Sequence, residues 1–317
     1  MTLHDRPLFT KALTDPLKFC PEPGSAYLFG VTDEKRSEFA LELQRNASDV
    51  LFVELREGQK FTVEVDFEGE TKIIPLRRMV AVQDLAKMVA GRQVYLDITG
   101  LQHSTWAAIL RVFIDFMIRV RVVYLEPAEY TKNEAPRFGD FYDLSEKIQG
   151  IEPLPLYTVL RDEPEEDVCF IPLLGFEGAR FAHMLEEVQP PFERTFPIIG
   201  VPGFRAEYPF SAFLGNSAPL ERSKSFHRLL FTRSNCPFSA YYAIEDIAAR
   251  FPSKTLKLGL VGTKPHSLGA ILFALQHPSN TEIVYDHVKR KKNRTTGSDH
   301  CLVYGVSEFL TTTAVSI

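Results

Sequence analysis

An α/β fold with largely parallel sheets is predicted by three features of the sequence taken together. Apolar runs alternate with helix-like segments along most of the chain, which is the pattern of strands joined by helical crossovers. Runs such as "SAYLFGV" (25–31) and "DVCFIPLLGF" (167–176) are apolar at nearly every position, as strands buried on both faces are. Strand–loop–helix units in the first part of the chain also recur in the same order in the second, which predicts two Rossmann-like halves.

The recurrence is clearest in "LDITGLQHSTWAAIL" (96–110) and "GLVGTKPHSLGAIL" (259–272). His103-Ser104 matches His266-Ser267, and Ala108-Ile109-Leu110 matches Ala270-Ile271-Leu272. The strands that follow, "RVVYLEP" and "EIVYDHV", share Tyr124 and Tyr285. Upstream, "YLFGVTDEKRSEFALEL" and "PLLGFEGARFAHMLEE" each end a strand at a glycine, Gly30 and Gly175, and each place an arginine soon after, Arg36 and Arg180. Ordered repetition points to an internal duplication. Unrelated buried α/β units also look alike, because their strands draw on the same few apolar residues. The expected organisation is an irregular arm over 1–23, a half over 24–130, a connector over 131–165, a half over 166–290 and a tail over 291–317.

Within the first half, strands are expected at 25–31, 49–55, 93–100 and 120–127. A helix follows Thr32 or Asp33 as its cap, and a hairpin over 60–76 turns at Glu68-Gly69. A helix over 81–91 ends at Gly91, and a very apolar one covers 104–119. The connector is rich in charge and proline, with one short helix expected at "YDLSEKI". In the second half, strands are expected at 167–176, 194–201, 256–262 and 281–288, with helices at 177–188, 237–251 and 266–276. Residues 202–235 read as a long, irregular, aromatic segment.

The chain has 317 residues, 45% hydrophobic and 24% charged, the balance of a soluble globular protein, and 25 phenylalanines to fill a large core. Its formal charge of −5 argues against a general nucleic-acid coat. The four cysteines, Cys20, Cys169, Cys236 and Cys301, are too far apart for a C-x2-C metal pair, so neither a metal site nor a disulfide framework is expected. The N-terminal stretch has charges and prolines where a signal peptide needs an apolar core. No apolar run reaches the roughly 18–20 residues of a membrane span. The expected setting is reduced and cytoplasmic, with no membrane partner.

Ligands of open parallel sheets bind beyond the carboxyl ends of the strands. The loops at Asp97-Ile98-Thr99-Gly100 and Gly262-Thr263-Lys264 lie there, each leading into a helix whose first N–H groups and dipole favour an anion. Asp97, Thr99, Gly100, His103 and Ser104, with Gly262, Thr263, Lys264, His266 and Ser267, are the ligand-binding candidates. Lys264 suits a phosphate. Arg36 and Arg180 join them if the halves face a common cleft. Serine and threonine before a helix are also ordinary caps, and the histidines and arginines also serve as structural residues. His103, His266 and Glu126 are the candidates for acid–base work, and Asp286, His287 and Tyr130 lie at matching places. The basic run "KRKKNR" (289–294) reads as a solvated loop or an anion contact, and "GFRAEYPFSAF" (203–213) as packing or a base-stacking surface.

No G-x-G-x-x-G follows the first strand, and G-x4-G-K-[ST], H-E-x-x-H and G-x-S-x-G are absent, so no cofactor is expected. "LDITG" (96–100) and "GTK" (262–264) resemble the ligand loops of the CARF family, the CRISPR-associated Rossmann-fold sensors, which often read Asp-Ile-Thr-Gly-Gly-Thr-Lys. Here Gly100 is followed by Leu101-Gln102, and the lysine occurs only in the second copy. The resemblance implies recognition of a linear or cyclic oligonucleotide, with Thr99, Gly100, Thr263 and Lys264 in the binding role. That family usually fuses its sensor to an effector; residues 291–317 are too few for one, so the chain is expected to be a sensor alone, a subunit feeding a protein partner that supplies the effector activity, or an enzyme that degrades the messenger. The resulting expectation is a nucleotide-binding sensor or regulatory subunit, with a bacterial defence system as its setting. An enzyme cleaving a phosphodiester or nucleotide, and a structural or adaptor subunit, are the alternatives.

Overall fold

The computed structural model describes residues 9–67, 69–137, 139–159 and 168–314. It divides into two compact units, Thr131–Arg294 and Pro7–Tyr130 with Thr295–Ile317. Residues 1–8 of the expected arm, 160–165 of the connector and 315–317 of the tail lie outside the described residues.

The unit Thr131–Arg294 carries a five-stranded sheet, parallel throughout, in the order Leu230–Thr232, Ile198–Gly200, Val168–Leu174, Thr255–Leu260, Thr281–Val284. Counted along the chain this is third, second, first, fourth, fifth. The winding reverses between Val168–Leu174 and Thr255–Leu260, as in a doubly wound fold. Val168–Leu174 is buried at every position because it is central and covered on both faces. Phe170, Phe181, Met184, Ile199 and Leu220 pack together on one of them. The helix Lys264–Gln276 is buried from Lys264 to Ala274, which is why its sequence lacks a polar face.

The other unit holds a six-stranded sheet in the order Thr10–Leu13, Cys301–Gly305, Val120–Leu125, Val94–Asp97, Ala26–Phe29, Leu51–Glu54. The last four are mutually parallel, and Cys301–Gly305 runs antiparallel to both its neighbours. Phe19, Tyr27, Phe39 and Tyr95 form an aromatic cluster on one face. The parallel strands lie second, first, third, fourth by chain order. The other unit repeats that order and direction, once Leu230–Thr232 at its edge is set aside.

Most expected elements are present, including the hairpin Thr62–Phe67 with Glu70–Pro75, which turns through Gly69 at φ 82°. Four expectations are corrected. Thr10–Leu13 is an edge strand rather than irregular arm, because the tail strand Cys301–Gly305 offers it a partner. The segment read as a short helix is instead two strands: Asp140–Tyr142 pairs with Lys132–Arg137, and Ser145–Lys147 pairs with Lys289–Arg290. That pairing brings Lys289 to Glu146 and Lys291 to Asp143, while the basic run stays at the surface. The tail is not separate: Cys301–Gly305 and the helix Val306–Ala314 complete the first-half unit. Residues 202–235 fold into the helices Tyr208–Gly215 and Ser217–Arg222 and the strand Leu230–Thr232.

Candidate functional site

In Thr131–Arg294 the strands flanking the reversal end in loops that touch. A Cβ on Gly175 would lie 2.6 Å from the Val261 carbonyl oxygen, so only glycine lets the two loops meet there. The turn 262–264 begins at this contact. Thr263 is the N-cap of Lys264–Gln276: its hydroxyl oxygen accepts from the His266 N–H, and the hydroxyl donates to the Ser234 carbonyl at 2.7 Å. Lys264 is the first helical residue and is 6% exposed. Pro265 contributes no N–H to the first turn of the helix. Ser267 is buried, and its hydroxyl bonds back to the Thr263 carbonyl at 3.2 Å.

His266 is fully buried, with Nε2 3.0 Å from both the Arg233 carbonyl and the Thr232 hydroxyl. A carbonyl only accepts, so Nε2 carries the hydrogen and Nδ1 is bare. Burial lowers its pKa to about 4, outweighing the opposing backbone contacts. The neutral ring is therefore favoured by the fold, and the unfolded chain takes up a proton first on acidification. Stability from this residue is present above pH 6.5 and is lost as pH falls toward 4. The expected loss is about 3 kcal/mol over that window. Urea melts of wild type and His266→Gln check it: the wild type should lose more stability between pH 7 and 4.5 than the variant.

Phe176 follows Gly175 and stacks on Tyr142 with ring centroids 4.2 Å apart, and Tyr208 meets both rings edge-on. Glu177 accepts from the Leu144 N–H at 3.0 Å and the Ser145 hydroxyl at 2.9 Å, which ties this segment to the strand end. Arg180 grips Asp286 with Nε and Nη2 at 2.7 and 2.6 Å, and its Nη1 lies 3.6 Å from Glu177. Burial opposes its charge, yet the bonds and charge of Asp286, with Glu177, hold the guanidinium pKa above its ordinary value. His287 Nε2 donates to the Glu152 carbonyl at 2.9 Å.

The corresponding loop of the other unit is a closed staple. Asp97 accepts from the Thr99 N–H at 2.8 Å and from the Tyr27 hydroxyl at 2.9 Å. The Thr99 hydroxyl oxygen accepts from the Leu125 N–H at 3.0 Å. A Cβ on Gly100 would fall 1.8 Å from the Gly30 carbonyl oxygen, so this glycine serves contact between two protein loops. The helix His103–Asp115 opens on a carboxylate the protein itself supplies, Glu57, which accepts from the Gln102 N–H at 2.7 Å. His103 is buried against Trp106, and Ser104 is buried beside it. Arg36 binds Glu34 at 2.7 Å and the Leu125 carbonyl at 2.6 Å, and Glu34 also accepts from the Thr295 hydroxyl at 2.8 Å. Glu126 faces His300 at 3.2 Å.

Of the residues singled out from sequence, Gly262, Thr263, Lys264, His266, Ser267 and Arg180 thus share the carboxyl edge of one sheet. Asp97, Thr99, Gly100, His103, Ser104, Arg36 and Glu126 share that of the other. Glu57, Tyr142 and Phe176 were not legible, because their partners are distant in sequence; Tyr208 lies in the segment 203–213 singled out for packing or stacking, and it packs. Burial pushes the thiols of Cys169 and Cys301 up to about 12, so both are inert core groups. No helix among the described residues is long and apolar enough to cross a membrane.

Fold and edge geometry define a protein of two α/β units, one with a doubly wound sheet whose winding reverses beside the turn 262–264. No family model matches the chain, and no curated protein matches it significantly. Among solved structures, one described as a Type III CRISPR defence DNA nuclease activated by cyclic oligoadenylate superposes with a TM-score of 0.42 at 10% identity, over 82% of this chain. This chain spans 65% of that structure's length. A likeness of that degree says nothing about ligand or activity.

Proposed function

We propose that the chain is a nucleotide-binding regulatory subunit whose phosphate-recognising element is the turn 262–264 with the first turn of Lys264–Gln276. The observation that carries this reading is the position of the turn at the carboxyl edge, beside the point where the sheet reverses its winding. Lys264 brings a positive charge to a helix start capped by a hydroxyl, whereas the matching helix of the other unit is met by the Glu57 carboxylate. The shared strand order supports descent of both units from one duplicated ancestor. The CARF resemblance makes linear and cyclic oligonucleotides the first ligands to try, a defence system the setting, and a separate effector protein the partner.

Binding is favoured over turnover because the acid–base candidates are engaged inside the protein. His266 is buried and neutral, His103 packs on Trp106, and Glu126 lies against His300. Titration calorimetry and thermal shift with mononucleotides and linear and cyclic oligonucleotides test the reading. A ligand at 100 times its Kd stabilises by about 2.7 kcal/mol. Lys264→Ala is expected to weaken binding about 10- to 100-fold, the value of a charge-assisted hydrogen bond. Mass spectrometry should recover the ligand intact. No binding across the panel, or binding indifferent to Lys264→Ala, contradicts the proposal; a cleaved ligand makes the protein an enzyme.

A further inference from the structure

Glu126, Asp299 and His300 meet at the carboxyl end of the strand Val120–Leu125, and the backbone holds them there. The antiparallel register sets Cys301 opposite Leu125, and the ladder continues past it. The Glu126 N–H donates to the His300 carbonyl, and the Asp299 N–H donates to the Glu126 carbonyl, both at 2.9 Å. Both segments are thus fixed by main-chain bonds, independently of what their side chains do.

The side chains then bring one nitrogen and two carboxylate oxygens together. His300 Nδ1 lies 3.2 Å from Glu126 Oε2 and 3.2 Å from Asp299 Oδ1, and all three ligand atoms fall within 4.8 Å of one another. Nδ1 is itself buried, and neither approach has hydrogen-bond geometry. Two ligands bound at about 2.0–2.1 Å to a tetrahedral Zn²⁺ stand roughly 3.3 Å apart. The two spacings from Nδ1 match that value, and the two carboxylate oxygens stand within 4.8 Å of each other. Glu126 is 3% exposed, so its carboxylate lies at the inner side, while Asp299 and His300 are partly open to solvent.

We propose that Glu126, Asp299 and His300 form a three-ligand site for a divalent first-row transition cation, Zn²⁺ being the expected occupant. Imidazole with two carboxylates suits Zn²⁺ better than Mg²⁺ or Ca²⁺, which take oxygen ligands. Three protein ligands leave a fourth position, on the solvent side, for an exchangeable water or an anionic oxygen. The site lies in the unit that does not contain the turn 262–264, so each stands or falls without the other. Sequence spacing could not reveal it, since the strand pairing alone unites residue 126 with 299 and 300.

The test is titration of the chelator-treated, dialysed full chain with Zn²⁺ by calorimetry, with Co²⁺ absorption as a second readout. One equivalent should bind, with Co²⁺ giving tetrahedral-type visible bands. His300→Ala and Asp299→Asn should each weaken binding by at least roughly 100-fold, the upper end of losses from merely supporting residues. Both positions are partly exposed, so the metal-free variants should melt as the metal-free wild type does. The proposal is overturned if the wild type takes up no stoichiometric ion. It is equally overturned if both variants bind as well as wild type, which would place the ion on other groups, or if Asp299 and His300 only form an ion pair whose loss shifts metal-free melting alone.

Discussion

Replacing Arg180 with alanine is expected to lower the free energy of unfolding by about 3–5 kcal/mol. Arg180 is 8% exposed and Asp286 is fully buried, so the substitution strands a carboxylate that water cannot reach. Two bonds at 2.7 and 2.6 Å form the bidentate grip that a lysine cannot reproduce. Removing one partner of such a pair costs more than removing both. Arg180→Met with Asp286→Leu is accordingly expected to regain most of the loss, and a double-mutant cycle in urea measures the coupling. If Arg180→Ala instead leaves stability unchanged and abolishes nucleotide binding, Arg180 contacts the ligand and its bond to Asp286 opens on binding.

Trp106→Ala is expected to cost about 3–5 kcal/mol, from lost burial and the cavity left behind. Trp106 is fully buried, in a helix where every residue from His103 to Leu110 is buried. This separates a core role for the apolar helix from a docking role. A helix kept apolar for a partner would tolerate the change within about 0.5 kcal/mol, as surface positions do. Trp106→Phe is expected to cost less, since it also removes a buried indole N–H that has no hydrogen-bond partner. Chemical denaturation of the three proteins at one pH decides between the roles.

The fold class was legible because buried parallel strands announce themselves: "VCFIPLL" and "TLKLGL" have few other readings. Strand order was not, since pairing such as Val168–Leu174 with Thr255–Leu260 depends on contacts between residues far apart in sequence. The edge strand Thr10–Leu13 was hidden by flanking prolines and by a partner at the other end of the chain. Ser145–Lys147 lacks strand-like alternation and by sequence reads as helix; its pairing with Lys289–Arg290 overrides local propensity. At the site, Thr263 was readable as a cap from its place before Lys-Pro-His-Ser. The depth of His266 was not, because the same six letters, "GTKPHS", suit an exposed turn. Nor was the difference between the two helix starts, which turns on Glu57, remote in sequence from Gln102.

Hydrogen–deuterium exchange with and without bound nucleotide tests the central claim most directly, because it reports where the phosphate sits. The account predicts slowed exchange in peptides spanning 261–268, with little change over 97–104, where the loop is already closed on its own neighbours. Protection confined to 97–104, or lying anywhere else while 262–264 exchange unchanged, would contradict it.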